Sequence, residues 1–187
     1  MRRHPNQVQV KPRQGDAEVF DQVVLATHSD QALRLLADPT PLEREILGAI
    51  PYQENEAVLH TDTRLLPRRK RAWAAWNYTL PTQAQARVAV TYNMNLLQGL
   101  DAPETFCVTL NRSAAIDPAK ILYRTVYHHP VFTEAGVLAQ ARRNEISGVN
   151  RTWYCGAYWS YGFHEDGVNS GLAAGRGLLE QPQQAAV

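Results

Sequence analysis

The segment "TWYCGAYWSYGFHEDGVNSGLAAGRGLLE" gathers the residues best suited to chemistry. Gly156, Gly162 and Gly167 remove side chains, Tyr158, Trp159, Tyr161 and Phe163 supply flat surfaces, and Glu165–Asp166 form an acidic pair where a helix would begin. A helix start carries unsatisfied amide groups and about half a positive charge. Glycines beside it let a flat or anionic ligand approach the backbone closely. The same spacing also suits a turn that packs a terminal helix on a sheet, and the residues alone leave both readings open. Glu165 and Asp166 have the makings of an acid–base pair. Their place in a first helical turn explains them more simply as complements to the helix dipole, so no catalytic residue is assigned.

Other reactive residues point to less. His128 and His129 are adjacent on a predicted strand and would face opposite ways, so no metal site is expected. Cys107 and Cys155 lack ligand partners at short spacing, which suits reduced thiols and a cytoplasmic protein. Cys155 reads as a small buried thiol. Arg68-Arg69-Lys70-Arg71 is the one basic cluster, either a solvated loop or a contact for an anion or partner. The four tryptophans read as core, with Trp159 and Tyr161 as candidates for a cavity wall.

Composition bounds the rest. The chain has 187 residues, 44% hydrophobic and 20% charged, with a net charge of +1, which is a soluble globular composition of one domain or slightly more. So small a charge gives no global attraction to nucleic acid or anionic lipid. No apolar run approaches the ~20 residues of a membrane helix, so no stable membrane insertion is expected, and "MRRHPNQVQV" lacks the apolar core of a signal peptide.

The elements that must position these residues fall into three stretches. "QVQVKPRQGDAEVFDQVVLAT" reads as strands about a Gln14–Asp16 turn, with Val23–Ala26 an unbroken apolar run expected to be covered on both faces. Two helices follow, one capped at Ser29 or Asp30. The other has Thr40 as cap, Pro41 first and Glu43 closing a capping box. From Glu54 to His128 the β-branched and aromatic runs predict an antiparallel sheet, with Val88, Val90, Tyr92 and Met94 on one face and Phe106, Val108 and Leu110 on one face. A helix at "TEAGVLAQARRNEI", a strand at "RTWYC" and a final helix complete the chain. Gly171 and Gly175 are expected to let that helix pack closely on a neighbour. The fold class is therefore α/β (α+β), an α/β layer with an inserted antiparallel sheet at 51–148, a return at 149–181 and a frayed tail at 182–187.

The words "CGAYWSYGFHEDGVNSGLAAGRGL" resemble the C-terminal flavin-binding segment of the flavin-dependent amine oxidase superfamily. "VLHTDTRLLPRRKRAWAAWNY", "YHHPVF" and "RTWYCGAYWSYGFHEDG" resemble a bacterial group of predicted NAD/FAD-binding amine-oxidase-like oxidoreductases. The resemblance implies FAD as cofactor and hydride transfer from a small-molecule substrate to flavin N5, with the antiparallel sheet roofing the substrate cavity. The apolar and aromatic content of that sheet suits a hydrophobic substrate such as a lipid or fatty acyl chain. It places Ala26 and Thr27 at the end of a strand beside the dinucleotide, Gly156 at the end of the last strand, and Tyr158 near the ribityl-phosphate. Gly162, Phe163, His164, Glu165 and Asp166 would meet the flavin ring, with Val168 continuing the helical turn. Such enzymes begin with a strand, a G-x-G-x-x-G turn and a helix, and this chain has no such turn. Residues 1–50 would then be a partial FAD domain, and a separate N-terminal FAD-binding half would be the missing partner. The alternative is a non-catalytic binding or interaction protein derived from such an enzyme.

Overall fold

Thr40 starts its helix by a reciprocal pair of bonds. Its hydroxyl accepts from the Glu43 amide at 3.1 Å, and the Glu43 carboxylate accepts from the Thr40 amide at 2.7 Å. The computed structural model describes residues 1–80 and 87–180. The described elements, in chain order, are β1 Arg2–Arg3, β2 Val8–Val10, β3 Glu18–Phe20, β4 Val23–Leu25, α1 Ser29–Leu35, α2 Pro41–Gly48, β5 Tyr52–His60, β6 Trp76–Tyr78, β7 Val90–Asn93, α3 Met94–Gln98, β8 Cys107–Leu110, β9 Ile121–Pro130, α4 Glu134–Ala141, β10 Thr152–Tyr154 and α5 His164–Glu180, with several 3-10 turns between them. The architecture is mixed α and β. The predicted tail at 182–187 lies outside the described residues, and among those described no helix is long and apolar enough to cross a membrane.

The chain divides into two units, Met1–Tyr52 with the stretch from Pro130 onward, and Gln53–His129. In the first, β1, β2 and β3 form an antiparallel sheet, while β4 and β10 pair in parallel with Val24 opposite Trp153. The core joins Leu25, Ala32, Leu36, Ile46, Leu47, Ile50, Ala139, Ile146 and Tyr154. Ala139 and Ile146 explain a correction to the expected 51–148 insertion. Apolar residues of α4 and the turn after it pack with α2 rather than with the antiparallel sheet, so the return comes at Pro130. The Val23–Ala26 run has apolar layers on both sides, but unevenly. Leu25 is buried in the helical core, whereas Val24 is 41% exposed, because α5 packs its Ala174 and Leu178 on the paired Trp153 rather than on Val24 itself.

Helix α1 begins one residue earlier than its caps suggested, with His28 at the cap and its amide held by the Gln31 side chain. The glycines of α5 divide differently from expectation. A Cβ at Gly171 or Gly175 would meet open space, whereas one at Gly177 would lie 2.3 Å from the Trp153 ring. The close approach therefore happens two residues after Gly175, on the face where Ala174 and Leu178 pack on Trp153. Replacing Gly171 or Gly175 with alanine should stabilise by about 0.5–1 kcal/mol, from reduced unfolded-state freedom and better helix propensity. Gly177→Ala should instead cost about 1–2 kcal/mol, since overpacking outweighs the same propensity gain. Urea unfolding of the three variants separates the two effects.

In the second unit the sheet order is β6-β7-β8-β5-β9. Directly paired residues share a face, so Val90 with Leu110, Tyr92 with Val108 and Trp76 with Tyr92 lie on one side. That much follows the predicted alternation, although Met94 leaves the strand to begin α3. The opposite side is the more buried one, and it is polar: His60, Thr91 and Thr109 are fully buried and Asn93 is 2% exposed, beside Val58 and Cys107. The apolar side keeps Trp76 at 64% and Tyr78 at 54% exposure, correcting the reading of Trp76 as core.

Candidate functional site

The carboxyl ends of parallel strands are where open α/β sheets hold ligands, and β4 and β10 deliver Thr27 and Gly156 to the same place. Cys155 continues the ladder by donating its amide to Leu25 O at 3.0 Å. An added Cβ at Gly156 would lie 2.5 Å from the Tyr158 ring and 3.4 Å from Thr27 O, so the strand end is bare because Tyr158 already fills the space. Thr27 is half-buried and Ala26 exposed.

Beyond Gly156 the chain makes a 3-10 turn at Ala157–Trp159 and then an exposed loop into α5. Tyr158 and Trp159 are buried, their rings 4.8 Å apart. Burial, then the nearby Tyr52 and Cys155, push the Tyr158 hydroxyl well above its ordinary range. The Tyr161–Glu165 stretch points outward, with Tyr161 77% and Phe163 71% exposed. Tyr161 is thus no cavity wall within its own unit, and Trp159 is core. Gly162 has a φ of +89°, a conformation that favours glycine and turns the chain sharply into the helix. Asp166 closes that turn by accepting the Phe163 amide at 2.9 Å, while His164, Glu165 and Val168 are exposed. The ten predicted residues therefore fall into two groups: Ala26, Thr27, Gly156 and Tyr158 at the strand ends, and Gly162, Phe163, His164, Glu165, Asp166 and Val168 on the open first turn of α5.

Residues that hold this region in place were not visible in the sequence. Ser170 accepts the Gly156 amide at 2.8 Å and donates to Gly167 O at 2.9 Å, tying the strand end to α5. Gln140 donates to both Tyr158 O and Ser160 O, and Arg143 donates to Ser170 O while its guanidinium lies 5.9 Å from the Trp159 ring. These partners sit 14 to 27 residues apart, beyond any helical or strand period that would flag them. Beside them, Arg143 Nε is enclosed without a hydrogen-bond partner among the described residues. Buried polar atoms of this kind are normally satisfied by ordered water or a ligand.

A flavin would find open backbone at one place only. The exposed turn at Gly162 and the amides at the start of α5 would suit a ring rim with partial negative charge, whereas at Gly156 the Tyr158 ring fills the space and Ser170 holds the amide. The adenosine and pyrophosphate half does not fit, because no G-x-G-x-x-G turn exists in the chain to cradle it. His128 and His129 reach different partners, Glu54 at 3.2 Å and Asn55 at 3.0 Å, and among the described residues no group of three or more histidine, cysteine or acidic side chains gathers. Cys107 and Cys155 are both buried and unpaired, and burial pushes the Cys107 thiol up to about 11.

No family model matches the chain, and no curated protein matches it. Among solved structures it is similar to the CLA-producing fatty acid isomerase from P. acnes, with a TM-score of 0.64 at 15% sequence identity over 94% of this chain. The chain spans about half the length of that protein, 45%, and a likeness at this identity concerns the fold alone.

Proposed function

We propose that this chain is the C-terminal portion of an FAD-dependent oxidoreductase of the amine-oxidase type, built from a partial FAD-binding α/β layer and an antiparallel-sheet substrate domain. The observation that carries the reading is the parallel β4–β10 pair, which sets Thr27 beside Gly156 and leads into the open glycine turn of α5. A bound flavin would supply a hydride acceptor at N5. The chain's own part would be positional: Gly162 keeps a side chain away from the ring edge, α5 presents amides to it, Gly156 makes room for Tyr158, and Ser170 and Gln140 hold the intervening loop. No residue of this chain is assigned as a proton acceptor.

The substrate class follows from the second unit. The sheet face of Trp76, Tyr78, Tyr92, Val108 and Leu110, exposed or half-buried around a buried Val90, suits an apolar molecule. That the fold neighbour is by name a fatty acid isomerase supports an acyl chain as the first candidate. Without a dinucleotide cradle, the chain alone should bind FAD weakly or not at all. The test is the visible spectrum of the purified chain, alone and co-expressed with a separately encoded G-x-G-x-x-G domain. The expected result is a colourless chain alone and a yellow complex. A yellow chain alone would refute the need for a partner, and a complex without flavin would refute the cofactor. The missing motif favours a second reading, a non-catalytic binding protein derived from such an enzyme. Acyl-chain binding by a complex that never takes up flavin would favour it.

A further inference from the structure

The loop Arg68–Arg71 is the most concentrated charge on the molecule, and neither the strand ends nor the sheet face uses it. All four cations are exposed, and among the described residues none has a carboxylate within ion-pair distance. The loop is nonetheless ordered. Trp73 Nε1 donates to Pro67 O at 2.8 Å, and the amides of Ala72 and Trp73 donate to Arg69 O and Lys70 O, closing a 3-10 turn at Lys70–Ala72. Lys70 Nζ lies 5.7 Å from the centre of the Trp73 ring. Ordinary surface lysines and arginines are dispersed among acids, as the balance of 19 basic and 18 acidic residues would allow here.

The chain runs from this turn directly into β6, the edge strand, where exposed apolar side chains follow: Trp76 at 64%, Tyr78 at 54% and Leu80 at 82%. Val88, which continues the Val90 face, is 54% exposed. Arg71 and Trp76 are five residues apart, at most about 17 Å of chain. A basic turn followed by exposed tryptophan, tyrosine and aliphatic side chains has the composition of a surface that settles on a bilayer. The cations meet lipid phosphates and carboxylates, and the aromatic rings sit at the headgroup level. A nucleic acid is the poorer match, since it asks for a longer basic stripe and the rest of the chain adds no net positive charge.

We propose that the Arg68–Leu80 edge of the second unit docks this protein peripherally on an anionic phospholipid surface, with no helix inserted. The proposal needs no flavin; it shares Trp76 and Tyr78 with the face read above as a substrate surface, and flotation without flavin or substrate tests it separately. Each cation near such a surface contributes about a fivefold factor in partitioning, so the cluster should supply on the order of a hundredfold or more.

Flotation of the full chain with vesicles of phosphatidylcholine and 30% phosphatidylserine, against pure phosphatidylcholine, tests it. The expected result is binding to the anionic vesicles only, lost in 0.5 M salt because screening removes the attraction. The quadruple change Arg68→Gln, Arg69→Gln, Lys70→Gln, Arg71→Gln should abolish it with an unchanged circular dichroism spectrum, and Trp76→Ala should weaken it several-fold. Should the quadruple variant misfold, the salt dependence of the unmodified chain still decides. Equal binding to neutral vesicles, no binding at all, binding indifferent to salt, or an undiminished quadruple variant would each overturn the proposal. So would tighter binding to a single-stranded oligonucleotide than to the vesicles.

Discussion

Glu43→Ala should lower the stability of the first unit by about 3–5 kcal/mol, the cost of breaking a buried ion pair from one side. The Arg3 and Glu43 side chains are 4% and 2% exposed, and Arg3 engages both carboxylate oxygens through its two terminal nitrogens. Tyr154 donates its hydroxyl to the same carboxylate at 2.7 Å, and the Thr40 amide donates to it at the head of α2. Burial by itself would push the Glu43 carboxyl up, but the bonds from Arg3, Tyr154 and Thr40 outweigh it and hold the group below its ordinary range. A depressed carboxylate contributes stability that is complete above its unfolded value, near 4.3, and is lost as pH falls below that. Urea unfolding at pH 7 and pH 3 should therefore show the variant far weaker at neutral pH and the gap narrowing in acid. The double change Arg3→Met, Glu43→Leu should cost less than Glu43→Ala alone, because it leaves no stranded charge. A loss under 1 kcal/mol for Glu43→Ala would mean the cluster is open to water.

His60→Ala should cost the second unit about 2–4 kcal/mol, as a cavity and two stranded hydrogen-bond partners appear together. The ring is fully buried. Its Nδ1 accepts the Asp62 amide at 3.0 Å, so Nε2 carries the proton and donates to Thr109 Oγ1 at 2.7 Å, which bonds Thr91 Oγ1 at 2.9 Å. Burial lowers the His60 pKa, and the nearby Asp62 charge opposes this only in part. The Asp62 carboxylate is occupied by Arg64 and the Asp117 amide, and Cys107 stays a neutral thiol, so among the described residues around the ring only the Asp62 charge offsets a proton on it, and in part. With the folded pKa below the unfolded one, the contribution of His60 is complete above pH ~6.5 and is lost as pH falls through the folded value, by up to about 1.4 kcal/mol per unit. Unfolding midpoints between pH 7.5 and 5 should drop steeply in the unmodified protein and flatten in His60→Gln. Equal slopes in the two proteins would show that the ring titrates freely.

Local signals reached far in this protein and stopped at recognisable places. Thr40, Pro41 and Glu43 announced α2 because a capping box closes within four residues, and the alternation of Val90 with Tyr92 and Val108 with Leu110 set strand faces because side chains flip at every residue. The same alternation could not say which face would be inside. His60, Thr91 and Thr109 become interior only when three strands bring them together, where each satisfies the next and the polar face can be buried at little cost. Glu43 shows the same limit: its capping role is local, while its partnership with Arg3 and Tyr154 spans 40 and 111 residues.

The sequence by itself determined the alternation of layers, the glycine turn at Gly162 and the helix that follows it, because these depend on backbone conformations and periods that neighbouring residues impose. Only the tertiary structure decided that α4 belongs with α2, that Gly177 rather than Gly171 meets Trp153, and that Ser170 and Gln140 hold the loop between strand end and helix. Those outcomes depend on which distant surfaces exclude water from one another, and no spacing along the chain encodes that.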